Sequence, residues 1–200
     1  MNKNIKKQLV ILLLYAMFLM WGLLTYKDYG VSYDELVQRR HGLVNFKYVY
    51  ELIHGSENFP EYLESIPYTL DEYDFMKYYG VGIKFPLLFI EYINGFSMTN
   101  QQIFYMNHLY TFLLFFISSI FVYRIVKLLD FDFGYSLLAV LIYMICPRIL
   151  ADSFYNIKDS VFLSLFVIML YFGLSVLIDL NWKNGVGLAV SAAFCLNTRI

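Results

Sequence analysis

The chain has 200 residues, of which 60% are hydrophobic, 20% aromatic and only 16% charged, against roughly 45 to 50% apolar and 25% charged in soluble domains. That balance excludes an ordinary soluble domain, and a net charge of -1 with Lys and Arg scattered among as many acids excludes a polynucleotide partner. Cys146 and Cys195 lie in apolar runs, where a thiol behaves as a small buried hydrophobe rather than a disulfide, metal ligand or nucleophile.

From the N-terminus, Gln8 to Thr25 is nearly uncharged and long enough to cross a hydrocarbon core, which needs about 20 helical residues. It follows Lys3, Lys6 and Lys7, exceeds the usual signal-peptide core and is followed by no small-x-small site, so a retained signal anchor is expected. Further spans are expected at His108 to Val126, Tyr135 to Phe154, Ser160 to Ile178, and from Gly185 to Ile200, each bounded by charges that are costly at mid-membrane. Because the chain stops inside an apolar run, residues 1–200 read as the N-terminal part of a single membrane domain in a longer protein.

If the spans alternate, Lys3, Lys6, Lys7, Arg124, Lys127 and Lys183 fall on one side, which the positive-inside rule makes the cytoplasm. The segment from Tyr26 to about Asn107 then faces outward. Its density of Tyr, Phe, Leu and Ile is that of a folded element on the membrane surface, not a solvated linker. Leu36, Leu43, Phe46, Tyr50 and Ile53 recur at helical steps and Gly55 offers a stop, which predicts an interfacial amphipathic helix. Tyr78 to Phe96 is interrupted by Gly80, Gly82, Pro86 and Gly95 and reads as a broken or re-entrant helix rather than a span. The fold class is therefore all-α, a polytopic helical bundle with a long outer loop that carries interfacial helices.

Two charged clusters stand out. Ser32-Tyr33-Asp34-Glu35 fits a capping box that would immobilise Glu35 and leave Asp34 free, close to a membrane exit where a lipid head group can be met. Arg39, at i,i+4 from Glu35, and Arg40 suit either a solvated face or a bidentate grip on phosphate. His41 could share the face of Asp34 but reads first as a polar contact, and His54 and His108 have no ligand spacing. In the second cluster, Cys146 to Asp159, helical spacing would put Arg148, Asp152, Asn156 and Asp159 on one face. Arg148 and Asp152 would then lie in the outer part of the bilayer, where ionisable groups signal function unless they merely pair with each other. No compact metal motif is present, and none is expected to be needed.

The signal anchor, the acidic dyad after it, the loop with interfacial helices, Lys84-Phe85-Pro86-Leu87-Leu88, and Pro147 to Asp159 between two spans together resemble the GT-C superfamily of membrane glycosyltransferases. The nearest likeness is to bacterial proteins with a protein-mannosyltransferase-like (RgtA/B/C/D-like) domain. The resemblance implies Asp34 as catalytic base with Glu35 completing the dyad, and Asp152 and Asp159 in a second acidic motif, although Arg148 stands directly after Pro147 where that family often has an acid. It implies a sugar on a polyprenyl phosphate as donor, an acceptor hydroxyl and a bacterial cytoplasmic membrane. Such chemistry would need cations at the leaving phosphate, for which Arg39, Arg40, Arg148 and Lys158 are the candidates. A transporter or lipid flippase, with the Arg148 to Asp159 charges lining a path, and a noncatalytic scaffold are the rival expectations.

Overall fold

The structure is a computed structural model and describes residues 3–55, 59–67, 69, 70, 72 and 79–199; Tyr78 and Ile200, which bound two of the expected segments, lie outside these. Every regular element among the described residues is helical: α1 (Lys3–Thr25), α2 (Tyr33–His54), α3 (Glu61–Glu64), α4 (Phe85–Ile93), α5 (Asn100–Leu128), α6 (Phe133–Ile145), α7 (Pro147–Tyr155), α8 (Asp159–Ile178) and α9 (Trp182–Arg199). Three are long and apolar enough to cross a membrane, Asn4–Thr25, Asn100–Leu128 and Asp159–Ile178. The molecule is a helical membrane bundle.

Helix α5 begins well before His108 because Thr99 and Gln102 form a capping box, the Thr99 N–H donating to Gln102 Oε1 at 2.8 Å. The expected span from Tyr135 to Phe154 is broken. Pro147 has no N–H to continue the ladder, so α6 ends at Ile145 and α7 leaves at 58°. This also corrects the single charged face expected over residues 148–159. Helix α7 closes where Asn156 N–H bonds Asp152 O at 2.9 Å, and the Asn156 side chain accepts from Asp159 N–H at 2.9 Å, so Asp159 opens α8 instead. Helix α9 occupies the place of the fifth expected span, but polar residues at both ends, Lys183 and Asn184 against Asn197 and Thr198, keep it out of the apolar class.

Helix α5 is central: α6, α7 and α8 pack on it, and α9 packs on α8. Helix α1 runs antiparallel to α5, with the Tyr15 hydroxyl donating to Ser119 O at 3.0 Å and Gly22 lying so close to Phe112 that a Cβ there would fall 1.9 Å from Cζ. Its outer face, including Leu12, Met17 and Leu24, is exposed, as a lipid-facing surface requires. At one end of the bundle Lys7 lies over the Phe133 ring and shares a cleft with Tyr123, Lys127 and Asp132. The α2–α4 layer lies at the other end.

That layer has its own core of Leu43, Phe46, Leu63 and Leu88, ringed by Tyr50, Phe59, Tyr62, Phe85, Tyr92 and Phe96. Of the expected face of α2, Leu43, Phe46 and Tyr50 pack inward, whereas Leu36 lines a surface cleft and Ile53 is exposed near the helix end. Gly55 stops α2 with a φ of 77°. Helix α4 has only nine residues, too short for a crossing of about 20. A second core joins this layer to the bundle, Ile83 and Leu87 meeting Ile157, Val161, Leu165 and Cys195.

An aromatic column fixes the link between α1 and α2. Phe112 stacks on Phe154 at 4.9 Å, and Phe154 stacks on Tyr29 at 4.2 Å, tying the linker to α5 and α7. Phe154 is fully buried, and its replacement by Ala is expected to cost about 3 to 5 kcal/mol. Thermal unfolding in detergent checks this; an unchanged midpoint would mean that the column is not a support.

Candidate active site

The site is built on the first turn of α2. Ser32 is extended (φ -82°, ψ 155°) and its N–H donates to Glu35 Oε2 at 2.8 Å, the carboxylate arm of the capping box. The Ser32 hydroxyl donates to Tyr155 O at 3.3 Å, which sets this turn against the end of α7. Capping turns Glu35 inward until it is wholly buried. Asp34, one residue earlier and about 100° round the helix, is exposed.

Behind that turn lies a buried group of charges. Glu35 Oε1 is 3.2 Å from His108 Nε2, and Arg39 pairs with Glu91 at 2.8 Å while donating to the Tyr62 hydroxyl at 3.1 Å. Lys84, at the start of α4, is 6% exposed, and its Nζ has no hydrogen-bond partner among the described residues. Burial pushes the Lys84 pKa down to about 7, against an upward pull from Glu35 and Glu91 and a further lowering by Arg39. The loop before it is tightly held: Gly82 N–H donates to the Asn197 side chain, and a Cβ at Gly80 would fall 1.7 Å from Asn197 O. Only glycine allows α9 so close to this backbone.

The sequence-derived candidates fall into three places. Asp34 lies on the surface, two residues after the Ser32 that meets the end of α7. Lys158 caps the Tyr79 ring at 4.7 Å, Tyr79 in turn meets His41 edge-on, and His41 is seven residues along α2 from Asp34, on its side of the helix. Asp152 pairs with Arg148 at 2.9 Å, the Arg148 side chain being 84% exposed, and Asp159 is engaged in the α7–α8 turn. Arg39 and Arg40 lie on a different face of α2 from Asp34, lining an open cleft of about 540 Å³ with Leu36, Tyr62 and Asn100. Among the described residues no three His, Cys, Asp or Glu side chains gather as a metal cluster.

Three residues of the buried group went unmarked as candidates in the sequence: Lys84, Glu91 and His108. A readable signal existed for the first two, as single charges seven residues apart within the otherwise apolar stretch 81–93. For His108 none did, since its partners come from the α1–α2 linker and α2.

The sequence model of the dolichyl-phosphate-mannose-protein mannosyltransferase family matches residues 90–200, more than half of the chain. The chain belongs to this family. It is thus a membrane glycosyltransferase of the GT-C type, and the family implies a lipid-linked sugar donor. No curated protein and no solved structure matches. The matched stretch runs from α4 to α9 and includes Glu91, His108, Arg148, Asp152, Lys158 and Asp159; Asp34, Glu35, Arg39, Arg40 and Lys84 precede it.

Proposed function

We propose that the protein transfers a sugar from a polyprenyl-phosphate donor to an acceptor hydroxyl on the extracytoplasmic side of a bacterial cytoplasmic membrane, with inversion at the anomeric carbon. The observation that carries this reading is Lys84, a buried amine without a hydrogen-bond partner among the described residues, held behind the turn that presents Asp34. Holding an ammonium away from water is costly, and an anion that enters offsets the cost. A phosphate linked to lipid is the anion that fits a site at the rim of a membrane bundle.

Asp34 accepts the proton of the acceptor hydroxyl as its oxygen attacks the anomeric carbon. The bond from that carbon to the phosphate oxygen breaks, and its electrons remain on the departing polyprenyl phosphate. Lys84 stabilises the charge that gathers there, more in the transition state than in the donor. Lys158, over the Tyr79 ring, is the second cation of this reading, while Arg39 is engaged by Glu91 and Arg148 by Asp152. Glu35 completes the dyad by holding the turn. No metal is invoked, and the cluster of Lys7 and Lys127 at the far end supports a cytoplasmic N-terminus.

Transfer is tested with full-length protein in vesicles and a panel of polyprenyl-phosphate hexoses, read as release of polyprenyl phosphate. Binding of polyprenyl phosphate alone tests Lys84. The amine is cationic below about pH 7 and neutral above it, so affinity should fall by up to about tenfold per pH unit from pH 7.5 upward, where the phosphate itself no longer titrates. In Lys84→Arg, whose guanidinium stays charged, that slope should vanish. A wild-type affinity that is flat over this range would remove Lys84 as the phosphate's cation.

A further inference from the structure

We propose that His108 is a positioning residue for transfer, clamping the segment that carries Asp34 through a proton it shares with Glu35. This rests on the reading of Asp34 as the base. His108 is fully buried on α5, with Nδ1 3.1 Å from Tyr26 O and Nε2 3.2 Å and 3.4 Å from the two Glu35 oxygens. A carbonyl only accepts, so Nδ1 carries a hydrogen. With that hydrogen placed, Nε2 faces a carboxyl group, and the contact is attractive only if one more proton lies between them. Imidazolium with carboxylate and imidazole with carboxylic acid are two forms of this one arrangement.

Tyr26 opens the linker from α1 to α2 and Glu35 lies in the first turn of α2 beyond it, so a single ring grips both sides of the linker. Between them the chain is mostly exposed, and no heavy atom of the described residues lies near enough to Gly30 to meet a Cβ placed there. Asp34 is adjacent to one gripped end. Among the described residues, the charged group that interacts with this pair is Lys84 at the start of α4, which also feels Glu91 of α4 and the Arg39 of α2 that pairs with it. Arg39 is neutralised by Glu91, so Lys84 and His108 are the two cations available to Glu35. When Lys84 turns to an anion, the proton on His108 is what keeps Glu35 compensated inside the protein.

The first test needs no substrate. Protein with ¹⁵N-histidine in lipid vesicles has His41, His54 and His108 to assign within residues 1–200, and a His108→Asn sample identifies the last of them by the signal it loses. Nδ1 should carry a hydrogen, with a proton at or shared by Nε2. In Glu35→Gln, where an amide N–H points at the ring, Nε2 should become a bare acceptor. A bare Nδ1, or a ring signal indifferent to Glu35→Gln, would overturn the proposal.

The second test is kinetic, with polyprenyl-phosphate mannose as the probe donor and polyprenyl-phosphate binding as its companion. His108→Asn keeps a donor for Tyr26 O but releases Glu35, and should lower the rate of polyprenyl phosphate release at saturating donor about 100-fold, as small misplacements of a base do, and weaken polyprenyl-phosphate binding as well, since Glu35 then holds Lys84. His108→Gln, which extends an N–H toward Glu35, should recover at least tenfold of that loss. A His108→Asn enzyme with the wild-type rate and pH profile would overturn the clamp. Activity retained in Asp34→Asn would instead remove the base, leaving the spectroscopic result to judge the pair.

Discussion

Asp34→Asn should abolish sugar transfer while leaving the protein inserted, folded and able to bind polyprenyl phosphate. The exchange keeps the shape of the side chain and removes its basicity, and Asp34 is exposed. General-base catalysis contributes typically 10² to 10⁴-fold, so release of polyprenyl phosphate should fall by about that factor. The contrast is Glu35→Gln, which replaces the acceptor of the Ser32 N–H and the partner of His108. That variant should lose stability as well as rate. If Asp34→Asn transfers sugar at the wild-type rate while Glu35→Gln is folded but inactive, the base is Glu35 and the inward-turned carboxylate is the catalytic one.

The spans and the cap were legible because their causes are local. Apolar runs bounded by charges marked α1 and α8, Gly55 marked the end of α2, and Ser32 with Glu35 marked its start. The break at Pro147 had a local cause as well, but it was masked by a hydropathy that runs on through both halves, so one span was expected where two helices meet. The rotation of α2 was harder to read. Its N-terminal half buries Glu35, His41 and Gly42 rather than a purely apolar face, because charged partners from α4 and α5 lie beneath it. Arg39 illustrates the same limit: its i,i+4 spacing suggested Glu35, whereas the fold supplies Glu91, far along the chain. Partners separated by dozens of residues leave no periodic trace.

Lys84→Met should make the protein more stable and cost it the donor. Burial lowers the Lys84 pKa from 10.5 to about 7, so between those values the unfolded chain binds a proton that the folded chain does not. Stability therefore rises with pH from about 7 to 10.5, and below pH 7 the penalty for burying the amine is present in full. A methionine of similar length fills the same buried space without it. Replacing buried charge by apolar volume is often worth about 1 to 4 kcal/mol, which should raise the unfolding midpoint at pH 7 and flatten its rise toward pH 9. Polyprenyl-phosphate affinity should fall at least about tenfold, since one charge-assisted contact to phosphate contributes roughly 1.5 to 3 kcal/mol. The opposing case is that Lys84 is the counter-charge Glu35 depends on. Its removal would then strand a buried carboxylate and destabilise the fold by about 3 to 5 kcal/mol. The two cases differ in sign, and His108 decides between them: with a proton on its ring, Glu35 keeps a partner 3.2 Å away and the methionine variant is the more stable protein.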